Sequence, residues 1–180
     1  MHPAIFLDRD GVIMENRTSY VRDWGDVDIF PQALQSLAKV SGSPFKFVIV
    51  TNQSAVGRGI ISLEVAREIN DRLVETITKS GGRIDGVFMC PHAPKDHCNC
   101  RKPEPGLLLQ AAEKLTIDLN KSYLIGDALS DLLAGQAAGV KQTILVLTGR
   151  GMSQALLLKP KHLKPYLTYD SLSDALSDLI

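Results

Sequence analysis

Short apolar runs alternate along the chain with segments in which apolar residues recur every three or four positions. The runs are Ala4-Ile5-Phe6-Leu7, Phe45-Lys46-Phe47-Val48-Ile49-Val50, Val87-Phe88-Met89, Tyr123-Leu124-Ile125 and Thr143-Ile144-Leu145-Val146-Leu147. Nearly continuous and rich in β-branched and aromatic residues, each predicts a strand buried on both faces of a parallel sheet. The segments between them read as helices. Pro31 suits a first helical turn, with Leu34, Leu37 and Ala38 following at helical spacing. Ser62 is an N-cap candidate, with Ala66, Ile69, Leu73 and Ile77 on one face. Gly106 to Leu115, Leu129 to Ala138 and Ser171 to Ile180 complete the set. The alternation predicts an α/β fold, Rossmann-like, with a parallel sheet and helices on both faces. Gly151 to Leu163 reads as an edge helix and a connection.

Composition sharpens the class. A chain of 180 residues, 44% hydrophobic and 22% charged, predicts one folded domain over residues 1–180 and excludes disorder, collagen and coiled coil. Twenty Lys and Arg balance twenty Asp and Glu, so no global field gathers nucleic acid or an anionic membrane. No apolar run approaches the roughly 20 residues of a membrane span. No basic segment followed by an apolar stretch and a cleavage site is visible at the N-terminus. The expectation is a cytoplasmic monomer whose partner is a small molecule, with no nucleic acid and no membrane.

The polar residues that follow the strands carry the chemistry. Ligands of open α/β sheets bind beyond the carboxyl ends of the strands, and Asp8, Asp10, Thr51, Asn52 and Asp127 all stand there. Asp8 and Asp10, two residues apart, can point the same way in an extended chain, and Gly11 lets the chain turn away. Asp127 supplies a third carboxylate. Three acids at one rim repel unless a cation sits among them, and hard oxygen ligands suit Mg²⁺. Thr51 and Asn52 can hold a phosphoryl oxygen. Lys102 can neutralise charge there, and Arg101 beside it can grip a phosphate with two bonds.

The only long irregular stretch, residues 90–105, gathers all three cysteines. Cys90, His92, Cys98 and Cys100 give three thiolates and an imidazole, a closed tetrahedral set for a structural Zn²⁺. His97 lies in the same loop and competes for the fourth place. His92 is preferred because Cys-x-His and Cys-x-Cys make two compact pairs. An odd number of clustered cysteines argues against a disulfide framework.

In this order and spacing, Asp8-Arg9-Asp10-Gly11-Val12, Thr51-Asn52, Lys102-Pro103 and Gly126-Asp127 with Asp131 resemble the haloacid dehalogenase (HAD) superfamily of aspartyl phosphotransferases. The resemblance implies a phosphoric monoester hydrolase. Asp8 is then the nucleophile, Asp10 the general acid and base, and Thr51 and Lys102 the groups that steady the phosphoryl. Mg²⁺ is expected on the Asp8 and Asp127 carboxylates and the Asp10 backbone carbonyl.

Within the superfamily, Cys90-Pro91-His92 and Cys98-Asn99-Cys100-Arg101-Lys102-Pro103 resemble the heptose-bisphosphate phosphatase group and related histidinol-phosphate phosphatases. That group lacks a large cap domain. Asn16 to Tyr20, the loop with Asn52, Gln53, Ser54 and Arg58, and the zinc loop would then form the mouth. The implied reaction removes the C7 phosphate of D-glycero-D-manno-heptose 1,7-bisphosphate, a phosphorylated sugar of the route to lipopolysaccharide. The substrate-binding set is Asn16, Tyr20, Asn52, Gln53, Ser54, Arg58 and Arg101, the last on the distal phosphate or sugar. The chain departs from the group at Ala128, where a lysine is expected. Two alternatives stand beside this reading. A histidinol-phosphate phosphatase would need an acidic residue at the mouth, with Glu15 and Asp26 as candidates. An inactive, zinc-ordered binding module would show no Mg²⁺-dependent turnover.

Overall fold

A computed structural model describes residues 1–180. Strand β1 (Ala4–Leu7) lies at the centre of a six-stranded sheet, between β2 (Lys46–Asn52) and β4 (Tyr123–Gly126). Outside β2 lies β3 (Gly86–Cys90). Outside β4 lie β5 (Gln142–Val146) and then β6 (Leu167–Tyr169), giving the order β3-β2-β1-β4-β5-β6. Every pairing is parallel. The chain winds outward from β1 in both directions, so β1 and β4 flank the point where strand order reverses, the place where such sheets open a crevice for ligands.

Alternate residues of each strand feed opposite layers. Ile5, Leu7, Phe47, Ile49, Ile125, Ile144 and Val146 pack in one core with residues of α1 (Pro31–Lys39), α3 (Leu63–Lys79) and α7 (Leu172–Leu179). Ala4, Phe6, Val48, Val50 and Leu124 pack in the other with residues of α4 (Gly106–Leu115) and α5 (Leu129–Ala138). At about 25 cal/mol for each Å² of apolar surface removed from water, two such layers are the main stabilising term. Cys90 and Cys100 belong to the second layer, which sets the thiol loop against α4. The Ser62 hydroxyl accepts from the Val65 N–H, capping α3 as its sequence predicts. No helix is long and apolar enough to cross a membrane. No second sheet or cap layer is inserted between the elements.

Thr51 and Asn52 end β2, paired with Met89 and Cys90, in agreement with their reading as strand-end residues. Two features differ from the pattern. The helix after Gly151 is only α6 (Gly151–Ala155), and the chain then leaves Leu156 and Leu158 exposed. Two short elements were not legible: α2 (Ser54–Gly57), a single turn, and β6, whose three residues are exposed or half-buried and carry no buried pattern.

Candidate active site

Strand register brings the acids together. Leu7 pairs with Ile125, and the Asp8 N–H donates to the Ile125 carbonyl at 2.9 Å. Asp8, one step past β1, therefore meets Asp127, one step past β4. Gly11 turns the chain with φ +87°, and a Cβ there would lie 2.1 Å from Asp127 Oδ2 and 2.5 Å from Asn16 Oδ1. Only glycine allows this turn and this approach. Carboxylate oxygens of Asp8, Asp127 and Asp131 all lie within 4.8 Å of one another, and all three residues are buried.

Two cations lie among them. Lys102 is buried and its Nζ donates to Asp8 Oδ1 at 2.8 Å, to Val50 O at 2.8 Å and pairs with Asp131 Oδ1 at 2.6 Å. All three ammonium donors are thus engaged. Arg150 binds Asp127: Nη2 to Oδ1 at 2.9 Å, Nε to Oδ2 at 3.3 Å and the backbone N–H to Oδ2 at 2.8 Å.

Burial pushes the Asp8 carboxyl up to about 6; Lys102 pulls against this, while Asp131 and Asp10 add to it. Burial likewise raises Asp127, with the Arg150 hydrogen bond opposing. Burial alone would lower Lys102, but the facing Asp131 and Asp8 carboxylates outweigh it and hold the ammonium well above the usual lysine range.

The acid-base candidate is held differently. Arg9, only 1% exposed, forks onto Asp10 through Nε to Oδ2 at 3.0 Å and Nη2 to Oδ1 at 3.2 Å. Its Nη1 donates to Asn70 Oδ1 of α3 at 2.8 Å. Gln53 Nε2 donates to Asp10 Oδ2 at 2.9 Å and to Thr51 Oγ1 at 2.8 Å.

A cleft of about 530 Å³ opens above these groups. Of the residues picked from the sequence, Asp8, Asp10, Asn16, Tyr20, Asn52, Gln53, Ser54, Arg101 and Lys102 line it. Asp127 and Thr51 lie beneath it, fully buried. Arg58 is not in its wall; it caps α2 as an exposed residue, because that short turn carries it past the rim. Asn52 lines the cleft, but its amide is committed at both ends to the Lys102 backbone. It therefore positions the lysine and keeps its second N–H for a ligand in the cleft. Glu15 and Asp26 are not in the wall, whereas Arg17 and Arg150 are.

Sequence reasoning passed over Arg9, Asn70 and Arg150, and placed Arg17 only within the mouth segment from Asn16 to Tyr20 without a role of its own. The signal for Arg150 was present: Thr148-Gly149-Arg150 follows β5, at the same rim as the other strand ends. The positive charge that a lysine at position 128 would bring beside Asp127 comes here from Arg150.

Oxygen donors suited to a hard cation are concentrated at this point. Besides the buried carboxylates, Asn16 Oδ1 is buried with no hydrogen-bond partner. A stranded acceptor over an acidic cluster fits Mg²⁺.

The thiol loop forms a second cluster. Cys90 Sγ lies 3.1 Å from Cys100 Sγ and 3.6 Å from Cys98 Sγ, and Cys98 and Cys100 are 3.5 Å apart. His92 Nδ1 is 3.6 Å from Cys90 Sγ and 3.4 Å from Cys100 Sγ. A tetrahedron with Zn–S bonds of about 2.3 Å has edges of roughly 3.8 Å, so the four atoms fit such an ion with a slight opening. His97 lies outside the cluster. Burial raises the Cys90 and Cys100 thiols. Burial also works to raise Cys98, but N–H groups of Arg101 and Cys100 and the neighbouring thiols overcome it and bring Cys98 down to about 7. A thiolate at that position suits a metal ligand.

Comparison with known proteins agrees with this geometry. The HAD-hydrolase-like family model matches residues 99–175. The chain is 35% identical over 160 residues to the D-glycero-beta-D-manno-heptose-1,7-bisphosphate 7-phosphatase of Pasteurella multocida, covering 86% of each chain. It is 40% identical over 144 residues to the enzyme of the same name from Helicobacter pylori strain J99, covering 79% of this chain and 82% of that one. The D,D-heptose 1,7-bisphosphate phosphatase of B. bronchiseptica, crystallised with magnesium and phosphate, superimposes with a TM-score of 0.90 at 32% identity, over 98% of this chain and 97% of that one.

Proposed function

The chain belongs to the HAD-type D-glycero-beta-D-manno-heptose-1,7-bisphosphate 7-phosphatases, and from that premise we propose that it removes the 7-phosphate of a heptose 1,7-bisphosphate through an aspartyl-phosphate on Asp8. The observation that carries the substrate class is the make-up of the cleft. Beyond the catalytic acids its wall holds Arg17 and Arg101, two guanidiniums that pair with no carboxylate and suit a substrate with a second anionic group.

In this reading Asp8 attacks phosphorus with the oxygen that Lys102 leaves free. The Asp8 O–P bond forms as the bond from phosphorus to the sugar oxygen breaks. Asp10, fixed by Arg9 and Gln53, gives its proton to that departing oxygen. Asp10 then takes a proton from water, whose oxygen attacks the same phosphorus. Inorganic phosphate leaves and Asp8 is restored. Lys102 offsets negative charge on the nucleophile and the transferring group, and Thr51, bonded to Gln53, steadies the loop beneath them. Asp8, Asp127 and the Asp10 carbonyl hold Mg²⁺, which when bound supplies charge neutralisation for the phosphoryl oxygens. Cys90, His92, Cys98 and Cys100 hold Zn²⁺, which fixes the loop that delivers Arg101 and Lys102. Reduced thiols of this kind suit the cytoplasm.

The histidinol-phosphate reading needs an acidic mouth, and the only carboxylates in the wall are Asp8, Asp10 and Asp131. Phosphate release with Mg²⁺ tests the two, comparing heptose 1,7-bisphosphate with histidinol phosphate and using Asp8→Asn as the blank. Preference for the bisphosphate is the expected result. Preference for histidinol phosphate overturns the substrate assignment, and release from neither substrate overturns the enzyme assignment for this class of esters.

A further inference from the structure

Arg150 holds an unusual position for a cleft arginine. Its guanidinium is spent on Asp127, the one member of the acidic cluster that Lys102 does not reach. Asp127 is fully buried, yet the Arg150 side chain is 52% exposed. The arginine therefore reaches down from solvent to a carboxylate at the floor.

The main chain of Arg150 is pinned independently of its side chain. Its N–H donates to Asp127 Oδ2 at 2.8 Å, and its carbonyl accepts from Ser153 Oγ at 2.8 Å and from the Gln154 N–H at 2.9 Å. The guanidinium can leave Asp127 without moving the backbone. Where it goes is limited by the wall it belongs to, which it shares with Arg101, Lys102 and Asn16.

Two cations cannot use Asp127 equally. A dication on this carboxylate repels the guanidinium and draws off the charge that holds it. A phosphate entering the cleft then presents new oxygens to the same donors. The geometry points to Arg150 as an exchanging cation: it neutralises Asp127 while the metal position is empty, and turns to the substrate's phosphate oxygens once a divalent ion takes Asp127. This rests on the phosphatase reading and adds to it a residue that couples metal uptake to anion binding. In both states the acidic floor and the cleft above it keep their charges matched.

The test uses full-length Arg150→Ala and Arg150→Gln with the wild-type chain. Calorimetric titration of metal-free protein with Mg²⁺ reads the first half. With the competing guanidinium gone, both variants bind Mg²⁺ about threefold to fivefold more tightly, the range for a half-exposed ion pair. Titration with inorganic phosphate at saturating Mg²⁺ reads the second half. Both variants bind phosphate at least about tenfold more weakly, as expected for a lost charge-assisted contact. Equal or weaker Mg²⁺ binding in both variants overturns the competition, and unchanged phosphate affinity overturns the exchange. Neither titration depends on which ester the enzyme hydrolyses, so a wrong substrate leaves this result standing, and a wrong role for Arg150 leaves wild-type turnover of the bisphosphate standing. Arg150→Gln keeps a neutral donor for Asp127, and so serves where the alanine variant folds poorly.

Discussion

Asn52 clasps the backbone of Lys102 at both ends: its Nδ2 donates to the Lys102 carbonyl and its Oδ1 accepts from the Lys102 N–H, each at 3.1 Å. The last residue of β2 thereby fixes a residue 50 positions later in the chain. Asn52→Leu removes both bonds and leaves the Lys102 charge intact. Because displacing a catalytic group by about 1 Å costs on the order of 100-fold, kcat falls by roughly 10- to 100-fold and KM changes less. Asn52→Asp retains the acceptor and gives an intermediate loss. Steady-state kinetics on the two variants checks the order, and a pure KM effect would return Asn52 to direct substrate contact.

The Arg9–Asp10 fork makes a different demand. Arg9→Met leaves the Asp10 carboxylate without its buried partner, and strands the Asn70 amide oxygen. Breaking a buried pair costs about 3–5 kcal/mol. Since Asp10 keeps 21% side-chain exposure, the lower end is expected. Urea denaturation of wild type and variant reads the loss directly, and a difference under 1 kcal/mol would mean that water replaces the arginine.

The thiol cluster predicts one zinc for each chain by atomic absorption. Cys100→Ser removes a buried ligand, lowers the zinc content and the thermal midpoint together, and reduces turnover through Arg101 and Lys102. Gly57→Ala probes the same loop without touching a ligand. A Cβ there would meet Ala93 N at 2.5 Å and Pro91 O at 2.9 Å, both backbone atoms that cannot rotate away. It should weaken zinc retention, measured as the rate of release to a chromogenic chelator. A chain that releases zinc at the wild-type rate would separate loop docking from metal holding.

Away from the site, Asp85 provides a pH test. Its carboxylate accepts from the Phe47 N–H at 2.9 Å and pairs with Lys46 at 3.1 Å and Arg83 at 3.2 Å. Burial raises its pKa, but the Phe47 N–H, Lys46 and Arg83 together pull it below the ordinary value of 3.8. A depressed acid stabilises the fold fully above its unfolded pKa, and that contribution is lost as pH falls through the folded value. Asp85→Asn therefore lowers stability at pH 7 by about 1–3 kcal/mol, and the gap narrows below about pH 4. Denaturant midpoints measured from pH 7 down to pH 3 check it; a gap that widens in acid would reverse the sign.

Much of this fold was legible because buried parallel strands write themselves as apolar runs. The helices α4 and α5 begin and end where their spacing placed them, and the acids stand at strand ends where an α/β sheet needs them. The missed parts share a physical cause. Strand β6 is held by pairing with β5 along an exposed edge, so no apolar run marks it. Arg58 was placed at the mouth by resemblance to a substrate loop, but a one-turn helix carries it past the rim, and the two-ended bond of Asn52 to the Lys102 backbone leaves no mark in the sequence. Arg9 was hidden for the opposite reason: a charged residue between two acids reads as solvated, and only α3 packing over it, with Asn70 in reach, makes it internal.

Cys90 ends β3 opposite Asn52 at the end of β2, and Cys100 stands two residues before Lys102. The thiol loop is thus a splice between the two halves of the Lys102 clasp. Lys102 therefore owes its placement to both sides: the Asn52 clasp holds it from β2, and the thiol cluster anchors the chain two residues ahead of it. If zinc closes the loop, as proposed, trace-metal supply would set what fraction of a fixed protein pool is competent. Cells short of zinc would then hold the enzyme at normal abundance and reduced output, a deficit that immunoblots miss and metal repletion reverses without new synthesis.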